Sequence, residues 1–292
     1  MHIDIQDIKR LCVVGGGTMG SQIAMLCALK GYEVTLHDIT DDQLKKAMDS
    51  NKGHLKRRVE RGKMTQAQMD EAFERITCTT SLEVAASDAD FVIEAVFEKI
   101  DVKKEVFARL DEICPSHTVL ATNSSYFPNS LFAPATKRPD KLVNMHFFHP
   151  ALVMRLVEVM PGEKTSSEET VSITAELAKK IDKVPIVLEK EIPGFVVTRI
   201  LWAIRREAYY LLESGVASFQ DIDTGCELGL NHPMGPFRLA DLSGLDINYN
   251  SMMELYKQTN DPKDLPPKSL RERVERGNLG RKTGKGFYDY TK

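Results

Sequence analysis

Leu11–Gly20 reads LCVVGGGTMG, and this decade decides the fold. Four apolar residues, Leu11–Val14, read as a strand that runs straight into Gly15-Gly16-Gly17-Thr18-Met19-Gly20, after which an amphipathic segment continues to Lys30. The glycines at 15, 17 and 20 fit GxGxxG in the setting that gives this spacing meaning: strand, tight turn, helix. Gly15 permits the turn, Gly17 lets backbone approach a diphosphate, and Gly20 allows close helix–strand packing, with Thr18 and Met19 completing the loop. The diphosphate is then expected on the positive end of the helix. A second strand, Glu33–His37, ends on Asp38, where a ribose-binding acid belongs. An Asp there accepts hydrogen bonds from both ribose hydroxyls and repels a 2′-phosphate. No Arg follows it directly, so NAD is favoured over NADP.

Composition narrows the class further. The 292 residues suit roughly two domains. A 42% apolar and 28% charged make-up is that of an ordinary globular protein. The net charge of -3 offers no basic excess to displace counterions, so nucleic acid is not expected as a partner. No apolar run approaches the ~18–20 residues that span a bilayer, so no membrane partner is expected either. The opening MHIDIQDIKR is polar and carries acids, unlike a signal or transit peptide. Cys12, Cys27, Cys78, Cys114 and Cys226 are scattered, odd in number and without CxxC spacing, which points to a reducing, cytoplasmic compartment.

The first half alternates short apolar runs with amphipathic segments, the pattern of a parallel sheet covered by helices. Further strands are expected at Phe91–Ala95, Thr118–Ala121, Leu142–His146, Leu156–Val159 and Val184–Leu188. A charged excursion from Asp41 to Arg75 reads as two helices broken near Gly62. After Glu189 the character changes. Pro193 suits a first helical turn, and Phe195, Ile200, Leu201, Ile204, Ala208 and Leu211 follow a 3.6-residue period up to Gly215. Helical patterns recur at Phe219–Leu228 and Asp246–Lys257. The predicted architecture is α/β: a dinucleotide-binding domain over 1–188, then an all-helical domain over 189–292.

The chemistry is expected in Leu142–Val159, LVNMHFFHPALVMRLVEV. Here His146 and Glu158 stand in two apolar runs that read as neighbouring strands. A carboxylate flanked by Leu156, Val157 and Val159 costs free energy unless paired. An imidazole fixed by a carboxylate through one nitrogen keeps the other for proton transfer. The bland alternative is a buried histidine and an unrelated edge acid. Just upstream, Thr122-Asn123-Ser124-Ser125 follows a strand end, where such sheets bind ligands. A hydroxyl there would orient a substrate oxygen, and a turn capping the next helix explains it equally well.

Together these residues resemble the L-3-hydroxyacyl-CoA dehydrogenase family, which includes the bacterial 3-hydroxybutyryl-CoA dehydrogenases. The resemblance runs from Arg10 to Tyr290 through VVGGGTMGSQIA, YEVTLHD, IEAVFEKIDVKKEVF, LATNSS, HFFHP…LVEV, IPGFVVTR, HPMGPFRLADLSGLD and LGRKTGKGFYDY. It implies a Rossmann-like NAD domain, a helical substrate and dimerisation domain, an acyl-CoA substrate and a homodimer working in fatty acid or butyrate metabolism. His146 resembles the family's catalytic base, oriented by Glu158, and Ser125 its substrate-oxygen contact beside the nicotinamide. Glu98, Lys103 and Lys282 match cofactor-contacting positions. Arg57, Arg61 and Lys63 correspond to the CoA-contacting helices. Two positions depart from the family's usual asparagines: Thr198 beside the substrate and His149 near the nicotinamide. His146-x-x-His149 is read as a variation of the site and not as a metal pair, since no further ligands accompany it. A dehydrogenase of a free hydroxy acid, or an NAD-binding protein without turnover, are the competing readings.

Overall fold

The computed structural model describes residues 4–163 and 165–291. The chain divides into two compact units, one ending at Val196 and the other beginning at Val197.

The first unit is built on one eight-stranded sheet of order β3-β2-β1-β4-β5-β6-β7-β8. Its strands are β1 (Arg10–Val14), β2 (Glu33–His37), β3 (Ile76–Thr79), β4 (Phe91–Glu94), β5 (Val119–Thr122), β6 (Leu142–Phe147), β7 (Leu156–Met160) and β8 (Val184–Val187). The expected strands are all present, and β3 is one that the residue pattern did not announce. Ile76–Thr79, ITCT, is a short, half-exposed edge strand with little apolar signal. Helices α1 (Thr18–Leu29), α2 (Asp41–Glu60), α3 (Gln66–Glu74), α4 (Leu82–Ala86), α5 (Ile100–Ile113) and α6 (Glu168–Lys180) complete the unit. Caps set their starts. Thr40 accepts from the Gln43 N–H to open α2, Thr65 and Gln68 form a reciprocal capping box on α3, and Ser167 accepts from the Thr170 N–H to open α6. The break between α2 and α3 contains Gly62, whose φ of 65° suits the turn.

The sheet is not wholly parallel. β7 runs antiparallel to β6, while every other neighbouring pair is parallel. The reason is chain length: residues 148–155 are too few for a parallel crossover, which takes about a dozen or more. That reversal places His146 directly opposite Glu158.

The second unit is helical, with α7 (Val197–Glu213), α8 (Phe219–Thr224) continued by a π turn at Gly225–Gly229, α9 (Pro236–Ser243), α10 (Leu245–Thr259) and α11 (Lys268–Glu275). Periodicity alone pointed to α7, α8 and α10. α9 begins on Pro236 and takes its cap from a distant residue: Asp223 accepts from the Phe237 and Arg238 N–H groups at 2.8 and 3.0 Å. α11, KSLRERVE, is mostly charged and buries one residue, Leu270.

Pro193 does not start α7, as the sequence suggested. The helix begins at Val197, and Gly194 (φ 76°) and Phe195 (φ 54°) form a turn before it. The turn directs the Val196 N–H onto Glu158, an acceptor inside the sheet unit.

The C-terminal motif owes two of its glycines to one buried acid. Asp241 accepts from the Phe287 and Tyr288 N–H groups, both at 2.9 Å, and from the Tyr290 hydroxyl at 3.1 Å. A Cβ on Gly280 or Gly286 would collide with Asp241 itself. Asp241→Ala leaves one buried and one part-buried N–H group without acceptors, so it is expected to lower unfolding stability by about 3 kcal/mol. A urea titration followed by Tyr and Trp fluorescence measures this.

Candidate active site

The carboxyl ends of four parallel strands finish in register: Val14 pairs with His37 and Glu94, and Glu94 pairs with Thr122. The loops after these residues therefore open on one edge of the sheet, the place where open α/β sheets bind ligands. Thr122 pairs in turn with Asn144, so His146 on β6 stands just beyond the same edge.

The glycine loop is held from both sides. The Gly16 N–H donates to Asp38 Oδ2 at 2.7 Å, and Gln43 Nε2 donates to the Gly16 carbonyl at 2.8 Å. Gly15 has φ 110°, and a Cβ there would lie 2.6 Å from the Ala95 carbonyl oxygen. A Cβ on Gly20 would collide with the Gly15 carbonyl. Gly17 differs: its φ of -68° suits any residue, and nothing lies within 4 Å of a built Cβ. It also opens α1 without a side-chain cap or an acid in the first turn, which leaves the orphan N–H groups of that helix to an anion. Among the described residues no hydrogen bond reaches Asp38 Oδ1. An open Gly17, an uncapped helix and an available carboxylate oxygen at the end of β2 fit a dinucleotide. Thr18 is exposed and Met19 half-buried at this loop.

His146 and Glu158 form the pair expected of them. His146 Nδ1 lies 2.8 Å from Glu158 Oε2, and the two residues are 6% and 0% exposed. Glu158 Oε1 accepts the Val196 N–H at 3.0 Å. The rings of Phe148 and Phe195 lie 4.6 and 5.2 Å from the imidazole, centroid to centroid, and shelter it from solvent. The buried acid thus fixes the ring through Nδ1 and leaves Nε2 for chemistry.

Ser125 is exposed on the loop after β5, and the residues around it hold that loop. Asn123 Oδ1 accepts the Phe147 N–H at 2.9 Å, tying the loop to β6 beside His146. The Ser124 hydroxyl accepts the Tyr126 and Phe127 N–H groups at 3.2 and 2.7 Å and donates to Glu98. Glu98 is bound in turn by Lys103, at 3.1 Å. Lys103 is only 1% exposed and also grips Glu94, at 2.8 and 3.0 Å, while Glu94 accepts from the Thr122 hydroxyl and the Val96 N–H, both at 2.7 Å. Burial pushes the Glu94 carboxyl above its ordinary range, against the pull of Lys103. Asn123 and Ser124 read only as part of a Ser/Asn turn, and Glu94 escaped the residue-level reading. A signal was present: Glu94 is a charge inside the apolar run FVIEAV, which is the argument that singled out Glu158.

The remaining residues are spread over both units. His149 is exposed just after β6, and among the described residues no group of three or more His, Cys, Asp or Glu is placed to hold a metal. Arg57, Arg61 and Lys63 are exposed at the end of α2 and in the following turn. Thr198 is half-buried in the first turn of α7. Lys282 Nζ lies 2.6 Å from Asp246 Oδ2 in the second unit.

A glycine loop with an acid closing the second strand, and a buried His–Glu pair beyond the same sheet edge, define an NAD-dependent oxidoreductase. Comparison with known proteins specifies which. Residues 10–192 match the NAD binding domain of 3-hydroxyacyl-CoA dehydrogenase, and residues 194–290 match its C-terminal domain. The chain therefore belongs to the 3-hydroxyacyl-CoA dehydrogenase family. It is similar to the 3-hydroxybutyryl-CoA dehydrogenase of Clostridioides difficile (43% identical; 97% of this chain, 100% of that one). It is also similar to the probable 3-hydroxybutyryl-CoA dehydrogenase of Bacillus subtilis (41% identical; 97% and 98%). Among solved structures, the (S)-3-hydroxybutyryl-CoA dehydrogenase of Ralstonia eutropha superposes with a TM-score of 0.90 at 40% identity, covering 98% of this chain and 100% of that one.

The glycines separate two demands, one from the fold and one from the ligand. Gly17→Val should leave the melting temperature within about 2 °C of wild type, since the protein leaves the space open. It should weaken NADH binding at least about tenfold, or ~1.4 kcal/mol. Gly20→Val should lower stability and binding together. Thermal melts and NADH fluorescence titrations distinguish the two.

Proposed function

We propose that this dehydrogenase interconverts a short-chain L-3-hydroxyacyl-CoA and its 3-ketoacyl-CoA, with His146 as acid/base and Glu158 as the group that orients it. The observation carrying this reading is the 2.8 Å contact between a buried carboxylate and His146 Nδ1 beyond the ligand-binding sheet edge. The tautomer with Nδ1–H donated to Glu158 leaves the Nε2 lone pair to accept the 3-hydroxyl proton. The imidazolium so formed is stabilised by the adjacent carboxylate. In the reverse direction Nε2–H returns the proton to the 3-keto oxygen. NAD, when bound, supplies the acceptor for the hydride leaving C3. Gly15, Gly17, Thr18, Met19, Gly20 and Asp38 would hold it, with Glu98 and His149 contributing; Lys282 joins them only as what the family resemblance implies. Lys103, 1% exposed and held by Glu94 and Glu98, is too buried for the direct cofactor contact expected of it and acts by fixing Glu98 and through it the Ser124–Ser125 loop. The Ser125 hydroxyl positions the substrate oxygen, and Thr198 is carried into this reading as a substrate contact by the family resemblance alone.

Short-chain preference is supported by relatives named for 3-hydroxybutyryl-CoA. CoA as the carrier is supported by Lys56, Arg57, Arg58, Arg61 and Lys63, none of which pairs with a carboxylate among the described residues. Such cations are available to phosphates. A homodimer belongs to this reading, with the second unit exposing Ile200, Tyr210, Leu228, Leu230 and Ile247. So does a cytoplasmic setting: all five cysteines are free, and burial raises the thiol pKa of Cys27 and Cys114 to about 12. No helix among the described residues is long and apolar enough to cross a membrane.

His146→Gln should lower kcat for acetoacetyl-CoA reduction by a factor on the order of 10²–10⁴, while NADH affinity stays within about threefold of wild type. Turnover at the wild-type rate would remove the mechanism. Neutralising Arg57, Arg61 and Lys63 to Gln together should raise KM for the CoA ester, leave kcat alone and flatten the salt dependence of kcat/KM. An unchanged KM would favour a free hydroxy acid as substrate.

A further inference from the structure

The second unit contains a buried cation that the reaction does not use. Arg205, midway along α7, is 9% exposed. Among the described residues no carboxylate pairs with it, and its one hydrogen bond is long, from Nη2 to Ser243 Oγ at 3.4 Å. Its Nε is buried with no acceptor. One turn further on, the buried Tyr209 hydroxyl also lacks a partner. Burial pulls the guanidinium pKa down to about 10, which still leaves Arg205 charged at neutral pH. A charge taken out of water with nothing to balance it is strongly disfavoured, so buried cations are paired.

Arg205 borders a cavity of about 30 Å³ that Trp202, Arg206, Met252, Leu255, Lys263 and Asp264 also line. Three cations thus face one carboxylate, and Asp264 is already engaged, accepting from the Thr259 hydroxyl at 2.7 Å. Size limits the occupant. A cavity holds one water at about 10–15 Å³ on this measure, so there is room for one or two waters or a monatomic anion. Phosphate, sulfate and an acyl chain are too large.

We propose that this cavity is a binding site for a chloride-class anion, which neutralises Arg205 and holds α7 against α9 and α10. The anion sits against the guanidinium with Lys263 and Arg206 around it. It is a structural ligand, separate from the phosphates of cofactor and substrate.

The test uses the whole protein and sodium salts at matched ionic strength. Chloride or bromide should raise the melting temperature saturably, by roughly 2–4 °C, and gluconate, too large for the cavity, should not. Crystals grown in bromide should show an anomalous peak in the cavity beside Arg205. Arg205→Met should abolish both effects. A cavity filled by water alone, a carboxylate of a partner subunit seated on Arg205, or a halide effect unchanged in Arg205→Met would each overturn the proposal. If Arg205→Met fails to fold, the bromide peak in the wild-type protein decides the matter.

Discussion

Glu158 has none of its surface in water, and the geometry of the site follows from that. A carboxylate inside a sheet is tolerable only when its oxygens are occupied. One oxygen meets the His146 imidazole and the other the Val196 N–H. The first contact needs β6 and β7 to run antiparallel with His146 and Glu158 in register. The second needs the Pro193–Val196 turn, with positive φ at Gly194 and Phe195. Phe195, placed by that turn, then covers the imidazole. The placement of the imidazole and the solvation of one acid are therefore the same structural problem with the same solution.

Other buried acids organise the molecule in a similar way. Glu94 gathers Lys103, the Thr122 hydroxyl and the Val96 N–H where β4 gives way to its loop. Asp90 receives the Lys9 and Arg10 N–H groups where the sheet begins. In the helical unit Asp223 starts α9 and Asp241 clasps the C-terminal segment. Each acid joins segments far apart in sequence, and a charge lends its hydrogen bonds more strength than a neutral acceptor would. The apolar core supplies the bulk of the folding free energy, while these acids determine which backbone segments meet.

Much of this was legible in the residues. The glycine spacing, the alternation of apolar runs with amphipathic segments, and a glutamate among valines each carry their physics locally. What escaped was non-local or weakly patterned. The edge strand β3 presents half-exposed threonines and one cysteine, with little apolar demand to mark it. The cap of α9 comes from Asp223, across an intervening loop. The tail motif is visible as a run of glycines and aromatics, but Asp241 sits 46 residues before the Phe287 N–H it accepts from. At the candidate site, the His146–Glu158 contact could be read directly from the two apolar runs. The Lys103–Glu98–Ser124 chain required knowing that β4 and β5 are neighbours.

The hairpin connection at residues 148–155 gives the enzyme an uneven capacity for evolutionary change. His146 and Glu158 are coupled through strand register, so a slip of one residue would turn both away from each other. The loop between them is held by its backbone: Lys183 donates to the Ala151 and Met154 carbonyls at 2.6 and 2.7 Å, and Ala151 is buried. His149, Val153 and Met154 stand exposed there, a few residues from the dyad. Side chains at such exposed positions can change without moving the backbone that holds His146 opposite Glu158.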